Sequence, residues 1–323
     1  MKIFLASIGS TSDIQRFLIL GDFLSKKGHD VRVSSAEMYT KLAANYEVDY
    51  QPFAGDYAAI VEDERMKELI GKNPFTVGKQ LKKHVYPILE SSLDTFLEGA
   101  KWADVVIYGI SDAFLDCPSD YPKDHYYTGF WFDANASFGK LSEAVSTFCE
   151  SKKKTIVITF GSMPYQSKYE INEFVKAIRE TVDVRVLIVR GWGLKDAEIE
   201  IFDDVMAVNK APYGELFEKV DAVIHHGGAG TTALVLKSGK PQMICPVLHP
   251  VGDQYFWGKQ TVKKGVGVKP ITLKKLTPKQ LAKSVKTLVT KDFGDNLSVV
   301  RNTILGENAL ENMSEIIEKY FNH

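Results

Sequence analysis

At 323 residues, with 45% hydrophobic and 25% charged side chains, the chain has the composition of a globular protein long enough for two domains. A formal net charge of −1 argues against a nucleic-acid binder, which normally carries a basic excess. Cys117, Cys149 and Cys245 are far apart and form no CxxC motif, which suits apolar fillers in a reducing compartment. No apolar run approaches transmembrane length, and the run at 3–6 is too short for a signal sequence, so the expectation is a cytoplasmic protein.

In chain order, 2–8 reads as a buried-type strand, 14–27 as an amphipathic helix stopped at Gly28, and 30–34 as a second strand. A helical pattern at 36–45 and a strand at 48–52 follow. Residues 57–70 and 75–99 read as helices, with a kink at Pro87, and 104–108 as a further strand. Residues 111–150 break the pattern and read as an interdomain connection. Strands are then expected at 155–160, 184–189, 205–208, 222–226, 242–245 and 266–268, with helices between them and a helical tail at 278–290 and 307–321. This alternation implies parallel sheets covered on both faces. The economical architecture is two doubly wound, Rossmann-like α/β domains facing a cleft, with ligands outside the carboxyl ends of the strands. The division is placed at 1–140 and 141–323, the last helix returning to the first domain.

The most informative stretch is 221–231, Asp-Ala-Val-Ile-His-His-Gly-Gly-Ala-Gly-Thr. An apolar strand runs into two histidines, a small-residue turn and a helix. Bare amide N–H groups and the helix dipole at such a junction favour an anion. Gly227, Gly228 and Gly230 leave room for a phosphate, and a histidine at the strand end can donate to one of its oxygens. His225 and His226 are adjacent in a strand, so they point to opposite sides. With no HxxxH, HExxH or Asp-x-Asp motif, a metal site is not expected.

Other candidates carry a functional and a plain reading side by side. Ser12 with Gln15 fits a capping box, and Asp13 is either a first-turn acid or a general base facing the cleft. Glu37 lacks the spaced glycines that would make it a ribose-binding acid. Gly161-Ser162 closes a strand and suits either a phosphate loop or an ordinary turn. Trp192, between Gly191 and Gly193 after Arg190, either stacks on a base or packs, and Pro212-Tyr213 is similar. Asp253-Gln254 offers groups for vicinal hydroxyls or simply opens the helix 255–263. The lysine clusters at 82–83, 152–154 and 274–275 read first as a solvated face and second as a peripheral membrane patch.

Taken together, these motifs resemble the GT-B fold UDP-glycosyltransferase family, in particular its bacterial antibiotic and sterol glucosyltransferase branch. The resemblance rests on Gly9-Ser10, Asp13 and Gln15, on Phe160-Gly161-Ser162-Met163, on Gly191-Trp192-Gly193-Leu194, and on the block from His225 to Thr232. Gly239, Pro241, Pro246, Gly252-Asp253-Gln254, Phe256-Trp257-Gly258 and the segment 127–131 add to it. It implies a UDP-sugar donor, no separate cofactor and no metal. Ser10, Gly161, Ser162 and Arg190 would line the donor site, with His225, Gly227, Gly228, Ala229, Gly230 and Thr231 on the diphosphate. Gly191, Trp192, Pro212 and Tyr213 would line the nucleobase and ribose, while Asp253 and Gln254 would grip the sugar. Asp13 would take the proton of a small-molecule or lipid acceptor in an inverting transfer. The chain departs from the family at Thr11-Ser12 and Arg16, in a longer stretch between Pro246 and Asp253, and in a shortened first half. The acceptor side would then be open, lost, or completed by a homo-oligomer or a partner chain. A non-catalytic donor-binding subunit and a nucleotide-sugar 2-epimerase are the alternative readings.

Overall fold

The structure, a computed structural model, describes residues 2–7, 11–53, 106–117, 119–120, 125–132, 140–249 and 253–321. The helices expected at 57–70 and 75–99 lie outside these residues. The chain forms two compact units, Met1–Ala134 with Gly306–His323, and Asn135–Leu305.

In the first unit, strands β1 (Lys2–Ala6), β2 (Asp30–Ala36) and β3 (Asp49–Phe53) pair in parallel in that order. Helix α1 (Thr11–Lys26) crosses from β1 to β2 and stops before Gly28, whose φ of 89° is the left-handed conformation that ends helices. Ile14, Leu18 and Leu24 of α1 are fully buried against Val31 and Val33 of β2. The chain's last helix, α9 (Ala309–Phe321), adds Ala309, Met313 and Ile317 to the same core, at the four-residue spacing of one helix face. Strands β4 (Val106–Tyr108) and β5 (His125–Tyr127) form a separate parallel pair. Behind them the Ser111 hydroxyl donates to the Glu307 carboxylate at 2.5 Å.

The second unit is one parallel sheet of β6 (Thr155–Thr159), β7 (Arg185–Val189), β8 (Val205–Val208), β9 (Ala222–His225), β10 (Gln242–Ile244) and β11 (Gly267–Val268). Its order is β11-β10-β9-β6-β7-β8. Every residue of β6 and β9 is buried, as expected where helices cover both faces. Helices α2 (Glu143–Cys149), α4 (Tyr213–Lys219) and α5 (Ala229–Lys237) pack on one face, through Val145, Phe148, Leu216, Phe217 and Val235 against Val157, Leu187 and Val223. Helices α3 (Ile171–Thr181) and α7 (Pro278–Thr290) pack on each other. Thr277 and Gln280 close a reciprocal capping box at the start of α7, and Pro278 occupies its first turn. Helices α6 (Gln254–Lys263) and α8 (Gly294–Gly306) complete the unit.

Several expectations are corrected. The 36–45 segment forms only a 3-10 turn, Glu37–Tyr39, and one helical turn, Thr40–Ala43. The supposed connection 111–150 contains β5 and α2. Helix α8 fills a stretch to which no element was assigned, burying Leu297, Val300 and Ile304. Ser12 is not at the cap position that its expected capping box with Gln15 requires. Helix α1 begins at Thr11, and the Gln15 amide donates to the Tyr46 hydroxyl at 3.2 Å.

The turns after β6 and β7 interlock. Trp192 N–H donates to the Gly161 carbonyl at 2.8 Å. A Cβ on Gly191 would sit 2.5 Å from that carbonyl oxygen, and a Cβ on Gly193 would overlap the Met163 carbonyl. Gly214, in the first turn of α4, has open space where a Cβ would stand. Gly193→Ala is therefore expected to destabilise the protein by about 1–3 kcal/mol through forced backbone shifts. Gly214→Ala should stabilise it by about 0.5–1 kcal/mol. Urea unfolding of both variants checks the pair.

Candidate functional site

The strand order reverses direction between β6 and β9, since the chain runs outward from β6 through β7 and β8 and then resumes at β9 on the other side. The carboxyl ends at such a reversal are where open α/β sheets bind ligands. Two turns meet there, Phe160-Gly161-Ser162 after β6 and His226-Gly227-Gly228 after β9.

Helix α5 begins at the second turn. Its first helical ladder bond runs from Thr232 N–H to the Gly228 carbonyl at 2.9 Å. The N–H groups of Ala229, Gly230 and Thr231 precede that bond and have no acceptor within the helix. Gly228, at the cap position, has no side chain to supply one, and the first turn holds no acidic residue. Gly228, Ala229 and Gly230 are half-buried and Thr231 is buried. These amides, with the positive end of the helix dipole, form an anion-binding end.

The two histidines divide their roles, and the division reverses the expectation. His225 is fully buried. Its Nδ1 accepts from Gly227 N–H at 3.1 Å, so its proton resides on Nε2, which lies 2.7 Å from Gln242 Oε1 on β10. Both ring nitrogens are thus engaged inside the protein, and His225 has none for a diphosphate. Burial, only partly offset by Gln242, lowers its pKa to about 4.

His226, the second of the pair, stands at the turns themselves. Its ring fills the space between the two turns. A Cβ on Gly228 would lie 2.6 Å from its Nε2, and one on Gly161 would lie 3.1 Å from its Cε1. Its buried Nδ1 has no hydrogen-bond partner among the described residues. Such an orphan atom calls for a polar group that completes it. Burial, then the neighbouring His225, lowers the His226 pKa to about 3, so the ring is neutral and keeps one N–H to donate. The alternation of strand residues separates the two imidazoles but does not say which of them keeps a free ring nitrogen.

The remaining candidates sort by what they already hold. Thr159 Oγ1 accepts from Gly161 N–H at 3.3 Å and lies 2.7 Å from the Tyr213 hydroxyl. Tyr213 also stacks on Phe217, ring centroids 4.9 Å apart, so the ring serves the core and Pro212 caps α4. Ser162 is half-buried at the β6 turn. Arg190 Nη1 donates to the Ala197 carbonyl and braces the loop that carries Trp192. The Trp192 ring itself is 39% exposed, with the Lys195 ammonium 5.8 Å from its centroid. Gly191 and Gly193 provide clearance between turns rather than room for a phosphate.

Gln254 is buried, and its Oε1 accepts from the N–H groups of Val247 at 2.7 Å and Leu248 at 3.0 Å. The expected grip on sugar hydroxyls through that oxygen is therefore corrected: it pins the loop after β10, and only the amide nitrogen is left for a ligand. Asp253 is exposed, with one carboxylate oxygen 2.5 Å from the Trp257 indole N–H. Asp13 is placed by its backbone as the third residue of α1, while Ser10 lies outside the described residues. No group of three or more His, Cys, Asp or Glu that could hold a metal ion occurs among the described residues. No helix there is long and apolar enough to cross a membrane.

Comparison with known proteins agrees with this geometry. The family described as "Erythromycin biosynthesis protein CIII-like, C-terminal domain" matches residues 176–318. A sterol 3-beta-glucosyltransferase of Saccharomyces cerevisiae is 31% identical over 218 residues, 64% of this chain and 18% of that protein. O-mycaminosyltylonolide 6-deoxyallosyltransferase of Streptomyces fradiae is 30% identical over 220 residues, 66% of this chain and 49% of that protein. The chain thus spans less than half the length of these relatives. Among solved structures, the glycotransferase of kitacinnamycin superposes with a TM-score of 0.74 at 15% identity, covering 98% of both chains. Glycosyltransferase VinC, solved in complex with DTDP, gives 0.67 at 15% identity over 100% of both chains.

The two α/β units, with a helix N-terminus at the sheet reversal, define a GT-B fold. The family match over residues 176–318 and the named relatives make the chain similar in sequence to glycosyltransferases.

The buried histidines set a pH response. Unfolding returns both from their lowered values toward 6.5, so below that pH the unfolded state binds more protons, and stability falls as pH drops from about 6.5 toward 4. His225→Gln keeps a donor near Gln242 but cannot titrate. The loss of unfolding free energy between pH 7 and pH 5, measured by urea, should be smaller in that variant by about 2 kcal/mol. An unchanged difference would mean that His225 does not fold neutral.

Proposed function

We propose that the chain transfers a sugar, most simply glucose, from a UDP-sugar to a hydroxyl of a lipophilic small-molecule or lipid acceptor, with inversion and without a metal ion. The observation that carries this is the α5 N-terminus at the β6–β9 reversal, with unpaired amides beside the orphan nitrogen of His226. An anion with several acceptor oxygens, such as a diphosphate, satisfies both. That VinC was solved in complex with DTDP supports a nucleoside diphosphate as this anion. The names of the sterol and tylonolide relatives support a bulky hydroxylic acceptor.

On this reading the amides of Ala229, Gly230 and Thr231, with His226 and Ser162, hold the diphosphate. Trp192 offers an exposed face to the base, and Asp253 with the Gln254 amide nitrogen meets the sugar. The acceptor oxygen attacks the anomeric carbon on the face opposite the diphosphate. The new C–O bond forms as the bond to the diphosphate oxygen breaks, and Asp13 takes the acceptor proton. Negative charge grows on the departing oxygen, where the α5 dipole and amides already point, so little reorganisation is required. One displacement inverts the anomeric centre.

Two variants test the division of labour. His226→Ala should weaken UDP binding, measured by calorimetry, by roughly tenfold to a hundredfold, as expected for a hydrogen bond to a charged group. Asp13→Asn should leave UDP affinity unchanged and lower turnover by about 10²–10⁴. Equal UDP affinity in the His226 variant would remove the donor site. Full turnover in the Asp13 variant would remove the base.

A further inference from the structure

The charge of the chain is unevenly distributed. Residues 254–291 contain ten lysines and no aspartate or glutamate, so this segment carries +10 in a chain of net −1. It forms α6, β11, a short 3-10 helix (Leu273–Lys275) and α7. All ten lysines except the half-buried Lys264 are exposed.

Helix α6 buries Gln254, Trp257, Gly258 and Thr261 on one side. Phe256, Lys259, Val262 and Lys263 recur at three- to four-residue spacing on the other. Phe256 is 44% exposed and Val262 46%, so two apolar side chains stand in solvent among the ammonium groups. Gly258 packs against Pro270, the residue after Lys269. Lys274 and Lys275 follow on the 3-10 turn. None of Lys259, Lys269, Lys275, Lys279, Lys283 or Lys286 makes an ion pair with a carboxylate among the described residues. A solvated protein face normally mixes both signs of charge; residues 254–291 supply only one.

We propose that the α6–β11 surface docks on an anionic lipid bilayer, its lysines at the phosphate level and Phe256 and Val262 entering the boundary with the acyl chains. The side-chain chemistry favours a bilayer over a nucleic acid. The segment contains no arginine, the residue whose planar fork reads bases and phosphates in pairs. Lysine acts as a hydrated point charge on an apolar stem, which suits a diffuse sheet of headgroups. Exposed Phe and Val inside a lysine stripe have a favourable destination in the interfacial region of lipid and none along a phosphodiester backbone. The amino end of α6 packs on Gly227 through Gln254, but Phe256, Lys259, Val262 and Lys263 are none of the groups assigned to the donor, so the inference does not rest on the proposed reaction.

Co-sedimentation of the full chain with phosphatidylcholine vesicles, with and without about one third phosphatidylglycerol, tests it. The expected result is binding only to the anionic vesicles, weakening steeply as salt rises. The triple variant Lys259→Gln, Lys269→Gln, Lys275→Gln should lower the partition coefficient on the order of a hundredfold, roughly fivefold per lysine. Phe256→Ser should lower it several-fold at every salt concentration, a loss that charge alone does not predict. All four side chains are exposed, and unchanged thermal melting establishes that the variants fold. Equal binding to neutral vesicles, or full binding by the triple variant, overturns the proposal. So does retention on a double-stranded oligonucleotide at the same salt together with no binding to vesicles.

Discussion

One buried imidazole holds the carboxyl end of β9 in shape. His225 accepts from the amide of Gly227 and lies against the carbonyl of Gln242, tying a turn to the neighbouring strand through two hydrogen bonds in a dry interior. A buried polar network is favourable only when its members are matched. Here both ring nitrogens of His225 are matched, while the Gln242 amide nitrogen has no partner among the described residues, and the match at the ring fixes the tautomer and the turn. Gly227, at φ 95°, takes a conformation that ordinary side chains rarely adopt, and its amide must point back at His225 for the chain to leave in the direction of α5. The position of His226 and the aim of the unpaired α5 amides follow from that pin. The residue that shapes the anion end therefore has no ring nitrogen to give the anion.

The glycines of the second unit follow the same logic. Gly161, Gly191, Gly193 and Gly228 occur where a neighbouring backbone or imidazole occupies the volume of a Cβ. The clearance they give allows the β6 and β7 turns to interlock and lets His226 fill the gap at the sheet reversal. A glycine-rich sequence at strand ends is easily read as space for a ligand. In this protein most of that space is filled by the protein itself, and the ligand-facing surface reduces to a few amides, one imidazole and a hydroxyl.

What could be read from the sequence, and what could not, divides along physical lines. Buried parallel strands announce themselves as short apolar runs, so 205–208 coincides with β8 and the strands β6, β7, β9 and β10 fall within a residue or so of expectation. Helix α7 was legible to the residue because a Thr–Pro start and a clean apolar stripe coincide. Strand β5 was invisible: three residues, His-Tyr-Tyr, carry no alternation to read. Helix α8 did leave a signal in Leu297, Val300 and Ile304, diluted by Gly294, Asp295 and Asn296 at its start. At the site, the strand–turn–helix junction was legible from its glycines and helix pattern. The assignment between the two histidines was not, because it depends on Gln242, 17 residues away on another strand. Gln254 was misread for a similar reason, its acceptors being set by a loop whose path the sequence does not reveal.

The first unit is discontinuous along the chain. Ala309, Met313 and Ile317 complete a core built from residues of the first fifty or so positions together with Ile107 and Trp131, while Asn135–Leu305 is contiguous. During synthesis from the amino terminus, the later unit therefore has all its strands before the earlier one has its last helix. The amino-terminal core is not complete until residues 309–321 have left the ribosome. For a nascent chain, the part made first is the part finished last, and the interval between them is when the hydrophobic side chains of α1 are most in need of a chaperone.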